Sequence, residues 1–260
     1  MRWYIGKRNY LRKINHFLNL IGINIKKIFF LKNTIKYFNH YLLFKKLGGK
    51  VKKFYPMLDD FDDNAASIKN QLFHSDLLTS QKVYEKKPEK HLDIGSRIDG
   101  VIAHIASFRN LDVLDIRDVD IQPHKNINFV KKDLLQIKIL DDAEKYDSIS
   151  SIGCLAHIGL GRYGDKIDPN GYKRGIKAIN NLAKKNCIIY IMMPVGKKGV
   201  EFNSHQVFDA DQLIEEFKSN SFNLQEFHLI NDVGDLILNS KTKNSLDLNF
   251  GGGYFVFQKK

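Results

Sequence analysis

Short apolar segments alternate with amphipathic segments along the chain after Pro88, and this alternation constrains the fold more than any other feature. Such alternation is typical of parallel strands joined by right-handed helical crossovers, with helices on both faces of the sheet. We therefore predict a Rossmann-like α/β domain with a mostly parallel, seven-stranded sheet. Only a loop separates the last two strands, which predicts an antiparallel last strand. The predicted strands are 91–94, 112–116, 127–131, 146–152, 187–193, 224–230 and 254–258, and the predicted helices are 100–108, 171–184 and 210–219.

The basic residues are concentrated at the N-terminus. Residues 1–53 contain 14 Lys and Arg and no Asp or Glu, whereas residues 54–260 contain 27 bases and 29 acids. Between residues 14 and 43, apolar side chains recur at spacings of three and four, which indicates an amphipathic helix. Glycines, Pro56 and an acidic cluster then interrupt the pattern. We predict a basic amphipathic helical arm over 1–55, an acidic linker and helix over 56–88, and the Rossmann-like domain over 89–260.

The charge of the arm leaves several partners open. A basic amphipathic helix can bind an anionic membrane surface or a membrane-bound protein, or pack on its own domain. Nucleic acid ranks below these because no recognition motif accompanies the charge. The chain has no run of 18 apolar residues and no secretory signal, and its two cysteines indicate neither a disulfide framework nor a metal site. We expect a cytoplasmic protein, either free or peripheral at the inner membrane.

A glycine turn joins the first predicted strand to the following helix. Gly95 allows the backbone to approach a ligand closely, and helix N-terminal amides can bind that ligand above the sheet. Asp115 ends the next strand, 20 residues after Gly95, where a carboxylate can accept both ribose hydroxyls of an adenosine cofactor. Asp93 either contributes to this site or only hydrogen-bonds the turn amides, and Asp133 either meets the adenine or caps a helix. The predicted cofactor-binding residues are Asp93, Gly95, Ser96, Asp115 and Asp133.

The loop after the fourth strand is rich in glycine and in polar side chains that are poor core material. In this loop, His157 can deprotonate a hydroxyl, and Arg162 can hold a phosphate or carboxylate through two hydrogen bonds. The next loop along the same edge carries His205. Alternatively, these side chains only fix the loop backbone. The predicted catalytic residues are His157, Arg162, Asp165 and His205, and the predicted substrate-binding residues here are Tyr163, Asp168 and Asn203.

Four strings of residues resemble a bacterial family known as domain of unknown function 268. They are residues 73–77, 91–100, 159–168 and 202–208, and the resemblance spans about 73–260. It implies a class I methyltransferase-like fold that uses S-adenosyl-L-methionine, in a surface-polysaccharide gene setting. It also adds His74 and Asp76 as substrate-binding candidates. Family members commonly have Glu where this chain has Ala156, so a carboxylate that could orient His157 is absent.

These features favour transfer of a methyl group from S-adenosyl-L-methionine to a hydroxyl of a sugar or glycan intermediate in bacterial surface polysaccharide biosynthesis. One alternative is a sugar- or phosphate-directed enzyme on the same fold that does not methylate. In that case Arg97, which replaces a second glycine of the usual turn, blocks the cofactor. The other alternative is a non-catalytic, membrane-associated organiser of glycan enzymes.

Overall fold

The computed structural model describes residues 17–19, 22–23, 30–62, 68–119, 124–137 and 145–260. Contacts divide the chain into two compact units, Met1–Ser67 and Ile68–Lys260. The division falls inside the predicted 56–88 segment.

The first unit contains a regular helix after residue 30. A 3₁₀ turn, Phe30–Asn33, leads into helix α1, Thr34–Lys46. The side-chain amide of Asn33 donates a hydrogen bond to the backbone carbonyl of Leu58 at 2.7 Å. Helix α1 has no buried residue. Most of the predicted helical stretch before residue 30 lies outside the described residues, so α1 represents only its last part. Within the described part of the chain, no helix is long and apolar enough to cross a membrane.

The second unit is built on one large sheet and a small hairpin. The strands are β1 (His91–Ile94), β2 (Leu111–Asp115), β3 (Ile127–Lys131), β4 (Tyr146–Ile152), β5 (Ala183–Val195), β6 (Gly199–Glu201), β7 (His205–Val207), β8 (Phe222–Ile230), β9 (Leu236–Ile237) and β10 (Gly251–Lys259). The large sheet has the order β3-β2-β1-β4-β5-β10-β8-β9, and β6 pairs with β7.

The strand directions confirm the predicted Rossmann-like α/β class. Strands β3, β2, β1, β4 and β5 pair in parallel, whereas the last strand, β10, is antiparallel to both β5 and β8. The two-residue edge strand β9 adds an eighth strand that the sequence did not predict.

Helices cover both faces of this sheet. They are α2 (Gln71–Lys86), α3 (Ala103–Ala106, continuing a π-type turn at Ile98–Ile102), α4 (Gly171–Leu182) and α5 (Ala210–Ser219). In β5, Ile189 and Ile191 join the apolar cluster under α4 and α5, and the alternate residues Tyr190 and Met192 join the cluster under α2 and α3. Because successive side chains of a strand point to opposite faces, the central strands are buried on both sides.

Two local elements refine the sequence prediction. The helix expected within 56–88 is α2, and it begins at Gln71 because the side chain of Asn70 accepts a hydrogen bond from the backbone amide of Leu72 at 2.9 Å and so caps it. The predicted loop after β5 instead forms the β6–β7 hairpin.

The order of the strands fixes where a ligand can bind. Strand β1 has β2 on one side and β4 on the other, so the chain reverses its direction across the sheet at this point. The loops that leave the carboxyl ends of β1 and β4 diverge there and open a crevice. Gly95 follows β1 and Gly153 follows β4, both with positive φ, 66° and 85°.

Candidate functional site

A cavity of about 470 Å³ lies at this carboxyl edge, within the second unit. This volume is in the range of pockets that hold small molecules and cofactors. The structure brings together, in its lining, predicted residues from four separate loops. They are Gly95, Asp115, Asp133, His157, Arg162, Tyr163 and Asp165.

Gly95 forms the floor of the cavity beside Cys154. Its φ is +66°, and a side chain at this position would overlap the Cys154 thiol. The absence of a Cβ therefore lets the Cys154 thiol pack directly against the Gly95 backbone, and both residues line the cavity.

Asp93 and Ser96 hold this turn from behind and are not among the cavity-lining residues. The fully buried Asp93 carboxylate accepts hydrogen bonds from the Ser96 amide at 3.1 Å, from the Ser96 hydroxyl at 2.8 Å and from the Ser150 hydroxyl. The Ser96 hydroxyl in turn accepts from the amide of Ile152 at 3.0 Å. Burial raises the pKa of Asp93 to about 6, and the hydrogen bonds from the two serines oppose that shift. Their geometry is that of residues that position Gly95.

Asp115 ends β2 with its carboxylate at the cavity. It accepts hydrogen bonds from the backbone amide of Arg117 at 2.8 Å and from the guanidinium of Arg117 at 2.9 and 2.6 Å. The guanidinium therefore engages both carboxylate oxygens. Arg117 also lines the cavity, and the sequence did not single it out.

Asp133 caps the turn that follows β3 and also lines the cavity. Its carboxylate caps the 3₁₀ turn Leu134–Gln136 by accepting from the amide of Leu135 at 2.9 Å. The same residue lines the cavity.

Arg97 does not fill the cavity. Its guanidinium forms an ion pair with Asp99 at 2.5 Å, and 63% of its side chain is exposed. Arg97 therefore borders the opening and leaves the space between Gly95 and Asp115 accessible.

His157 and Arg162 converge on one backbone carbonyl of the β6–β7 hairpin. The Ser204 oxygen lies 2.6 Å from Nδ1 of His157 and accepts a hydrogen bond from Arg162 at 2.9 Å. Since the short contact to a carbonyl requires a proton on Nδ1, the neutral ring keeps its lone pair on Nε2. Burial lowers the pKa of His157 to about 4; the Ser204 carbonyl opposes this shift and the Arg162 charge adds to it. His157 is therefore neutral at physiological pH.

The two acidic residues of this loop, Asp165 and Asp168, accept hydrogen bonds from backbone amides. One oxygen of Asp165 accepts from the amides of Gly159 at 2.7 Å and Gly161 at 3.3 Å, and the other accepts from the amide of Tyr163 at 3.2 Å. Asp168 pairs with Arg174 at 2.5 Å and is not among the cavity-lining residues. Asp165 therefore lines the cavity, and its hydrogen bonds to three backbone amides fix the shape of the loop.

Four further candidates are not in the cavity lining. His205 packs on Phe250, with 4.5 Å between the ring centroids, and Asn203 is exposed in the β6–β7 turn. His74 contacts the carbonyl of Gly234 at 3.2 Å. The carboxyl group of Asp76 lies behind the Gly95 turn, against Gly100. The structure does not bring these four residues to the cavity.

The family comparison corrects the attribution made from the sequence strings. The model described as "Caenorhabditis protein of unknown function, DUF268" matches residues 109–223, which is less than half of the chain. The attribution to a bacterial family is therefore wrong, and the surface-polysaccharide setting inferred from it loses its basis. A search of curated proteins finds no match.

Solved structures share the fold of the second unit at low sequence identity. A 1,6-didemethyltoxoflavin-N1-methyltransferase from Burkholderia thailandensis, with bound 1,6-didemethyltoxoflavin and S-adenosylhomocysteine, is 13% identical, with a TM-score of 0.51 over 78% of this chain and 81% of that one. The N-methyltransferase NodS from Bradyrhizobium japonicum WM9, in complex with S-adenosylhomocysteine, is 12% identical, with a TM-score of 0.50 over 77% of this chain and 90% of that one. The fold is that of class I methyltransferases.

The same fold occurs in a protein with a different reaction in its name. The [4+2]-cyclase SpnF is 12% identical, with a TM-score of 0.52 over 87% of this chain and 94% of that one. Fold similarity alone therefore does not assign a reaction, and the residues of the cavity have to carry that argument.

Proposed function

We propose that the protein is an S-adenosyl-L-methionine-dependent methyltransferase. The observation that carries this proposal is the convergence of the Gly95 turn and the Asp115 carboxylate on one cavity of about 470 Å³. A turn without a Cβ suits close backbone contact with a ligand, and a carboxylate at the end of the second strand suits a ribose diol. Two methyltransferases with this fold were crystallised with S-adenosylhomocysteine.

In this proposal the residues divide into two groups. Gly95, Asp115 and Asp133 hold the cofactor, which supplies an electrophilic methyl group when bound. His157 and Arg162 face the acceptor. Neutral His157 accepts the acceptor's proton at Nε2, and its low pKa keeps that atom unprotonated at neutral pH. Holding the acceptor oxygen in line with the methyl group supplies much of the remaining rate.

We further propose a hydroxyl of a sugar or glycan intermediate as the acceptor. A hydroxyl needs a base to remove its proton, and His157 lines the cavity in neutral form. Arg162 and Tyr163 also line the cavity and can hydrogen-bond the hydroxyls of a sugar.

Calorimetric titration of the full chain with S-adenosylhomocysteine tests the cofactor assignment. We expect micromolar binding that Asp115→Ala weakens at least about tenfold, because each hydrogen bond to a charged group contributes about 1.5–3 kcal/mol. Asp118→Ala is the matched control, since Asp118 is exposed and pairs with Lys131 at 3.1 Å outside the cavity lining. Absence of binding at millimolar ligand would contradict the proposal and favour a non-methylating enzyme on the same fold.

Mass spectrometry of candidate acceptors tests the reaction itself. With S-adenosyl-L-methionine and the full chain, we expect a product heavier than the acceptor by one methylene group. His157→Gln should suppress its formation while leaving S-adenosylhomocysteine binding within about twofold, because His157 belongs to the acceptor group. A non-catalytic organiser would give no product with any acceptor.

We also propose that residues 1–53 bind an anionic membrane surface. This segment has 14 basic and no acidic residues, and several apolar side chains of its described part are exposed, including Ile35 at 73% and Leu42 at 62%. Lysines can contact anionic headgroups while such side chains enter the acyl boundary.

Sedimentation of the full chain with vesicles tests this membrane proposal. We expect binding to vesicles that contain phosphatidylserine and little binding to pure phosphatidylcholine. Replacing Lys36, Lys45 and Lys46 with Gln should weaken it, whereas replacing Lys86, Lys90 and Lys125 removes the same charge from the second unit and should not. Equal effects of the two triple variants would contradict a membrane role of this segment and leave a protein partner as the alternative.

A further inference from the structure

Two arginines lie against one tyrosine ring at the acceptor side of the cavity. The guanidinium carbon of Arg117 is 4.6 Å from the ring centroid of Tyr163, and that of Arg162 is 5.1 Å from it. The ring of His157 contacts the same tyrosine edge-on, with 5.7 Å between centroids. All four residues line the cavity, so they form one cluster around Tyr163.

The charge of Arg162 is not balanced by a nearby acid. Its guanidinium bonds to the carbonyl of Ser204 at 2.9 Å and contacts His157 at 3.3 Å, both neutral groups. Among the residues that the structure describes, no carboxylate oxygen lies within 4.0 Å of it. Asp165, in the same loop, directs its oxygens to backbone amides. An arginine held by neutral partners at a cavity wall retains its full attraction for an anion.

Arg117 differs because it already engages a carboxylate, that of Asp115. This is the acid assigned to the ribose in the proposed function. The guanidinium donates to Asp115 through Nε and Nη2, at 2.9 and 2.6 Å. A guanidinium carries more N–H donors than these two, so Arg117 can also donate to a second anion beside Arg162.

We propose that the acceptor carries an oxyanion group, a phosphate or a carboxylate, that binds between Arg117 and Arg162 above the ring of Tyr163. This inference rests on the proposed function only in calling the bound molecule a methyl acceptor. The anion site itself is defined by the arginine cluster. Planar guanidinium groups bind both oxyanions through paired hydrogen bonds. The oxyanion would hold the acceptor with its hydroxyl near His157.

Titration of the full chain with inorganic phosphate, glucose 6-phosphate and glucuronate tests the site directly, with glucose as the uncharged control. We expect saturable binding of at least one oxyanion and none of glucose. Arg162→Gln and Arg117→Gln should each weaken that binding about tenfold or more, the loss expected for a charged hydrogen-bonding partner. Lys218→Gln removes one positive charge from α5, where Lys218 pairs with Glu215 at 3.2 Å, and should leave the affinity unchanged.

Asp115→Asn separates this inference from the proposed function. The substitution removes the carboxylate that competes for Arg117, so oxyanion binding should become several-fold tighter while S-adenosylhomocysteine binding becomes weaker. If S-adenosylhomocysteine fails to bind but the oxyanion effects appear, the proposed function fails and the anion site stands. If S-adenosylhomocysteine binds and the oxyanion effects are absent, only the anion site fails.

The remaining outcomes are also decisive. No binding of any of the three oxyanions at millimolar concentration would overturn the inference, and so would binding that Arg117→Gln and Arg162→Gln leave unchanged. Arg117→Lys and Arg162→Lys keep the charge but lose the paired donors, and we expect them to bind more weakly than the wild type and more tightly than the Gln variants. Preference for glucose 6-phosphate over glucuronate would identify a phosphate, and the reverse a carboxylate.

Discussion

The backbone of Gly95 lies directly against the thiol of Cys154, with no room for a side chain between them. The contact joins the turn after β1 to the turn after β4, the two loops that open the cavity. It therefore fixes the distance between these two loops.

Gly95→Ala should destabilise the fold and reduce S-adenosylhomocysteine binding together. The new methyl group would overlap Cys154, and the φ of +66° strains any residue other than glycine, so we expect a loss of more than about 1 kcal/mol in the free energy of unfolding. Urea unfolding and calorimetry measure the two effects. Gly199→Ala is the matched control: no atom lies within 4 Å of a Cβ there, and we expect a change within about 0.5 kcal/mol. Equal stability of the two variants would contradict the contact.

The pKa of His157 should depend on Arg162. Nuclear magnetic resonance titration of the ring proton should give a pKa of about 4 in the wild type, because burial disfavours the charged ring. Arg162→Gln removes a positive charge nearby and should raise this pKa toward its ordinary value, although burial still holds it lower. Arg174→Gln should have no effect, because Arg174 pairs with Asp168. A wild-type pKa near that of free histidine would be incompatible with the observed geometry.

His91 should make the protein less stable as the pH falls. Its buried ring contacts the hydroxyls of Ser148 at 2.8 Å and Ser150 at 3.1 Å, and burial lowers its pKa from 6.5 to about 3. Between these values the unfolded chain binds a proton that the folded chain does not, so this residue's contribution to stability is full above pH 6.5 and is lost progressively toward pH 3.

Urea unfolding at several pH values measures this dependence. His91→Gln should unfold with a smaller loss of free energy on acidification than the wild type, even though its stability at neutral pH is lower. His104→Gln, at an exposed position of α3, should follow the wild-type curve. If the free energy of unfolding of the wild type and of His91→Gln falls in parallel with pH, the folded ring takes up its proton at the same pH as the unfolded chain, and the explanation is wrong.

Asp76 should oppose stability at high pH. Burial raises its pKa to about 7, and the nearby Asp93 charge adds to this shift. The folded chain holds a proton here that the unfolded chain releases above about pH 4, so the cost of the charged form grows with pH and is complete above pH 7. Asp76→Asn should therefore raise the free energy of unfolding at pH 8, by an amount that shrinks toward zero near pH 4. Asp118→Asn, which changes an exposed carboxylate that pairs with Lys131, should show no such dependence. A gain that is constant with pH would contradict this explanation.

The sequence predicted the framework of the sheet because period-two and period-3.6 patterns are local. The bounds of β1, β3, β4 and α5 coincide with the predicted segments. The hairpin β6–β7 was missed because its strands have three residues each, too few to display alternation. Its formation turns His205 toward Phe250, which explains why a histidine on the expected loop does not reach the cavity.

Residues of the candidate site could be grouped from sequence because the carboxyl ends of parallel strands meet at one edge. This rule predicts that Gly95, Asp115 and His157 lie near one another, and all three line the cavity. It could not show that Asp93 supports the turn from behind, since that depends on Ser150 in the neighbouring strand. Arg117 was overlooked, although its position two residues after Asp115 was a usable signal.

The buried hydroxyl of Ser150 lies between His91 and Asp93, and this arrangement fixes the direction of the hydrogen bonds that connect the three residues. An ionised Asp93 can only accept, so Ser150 must donate to it and take its own hydrogen bond from Nε2–H of His91. Nδ1 of His91 is then left to accept from Ser148. The carboxylate that supports the cavity-lining turn thus selects the tautomer of a histidine at the start of the same strand, and protonation of that carboxylate removes the constraint.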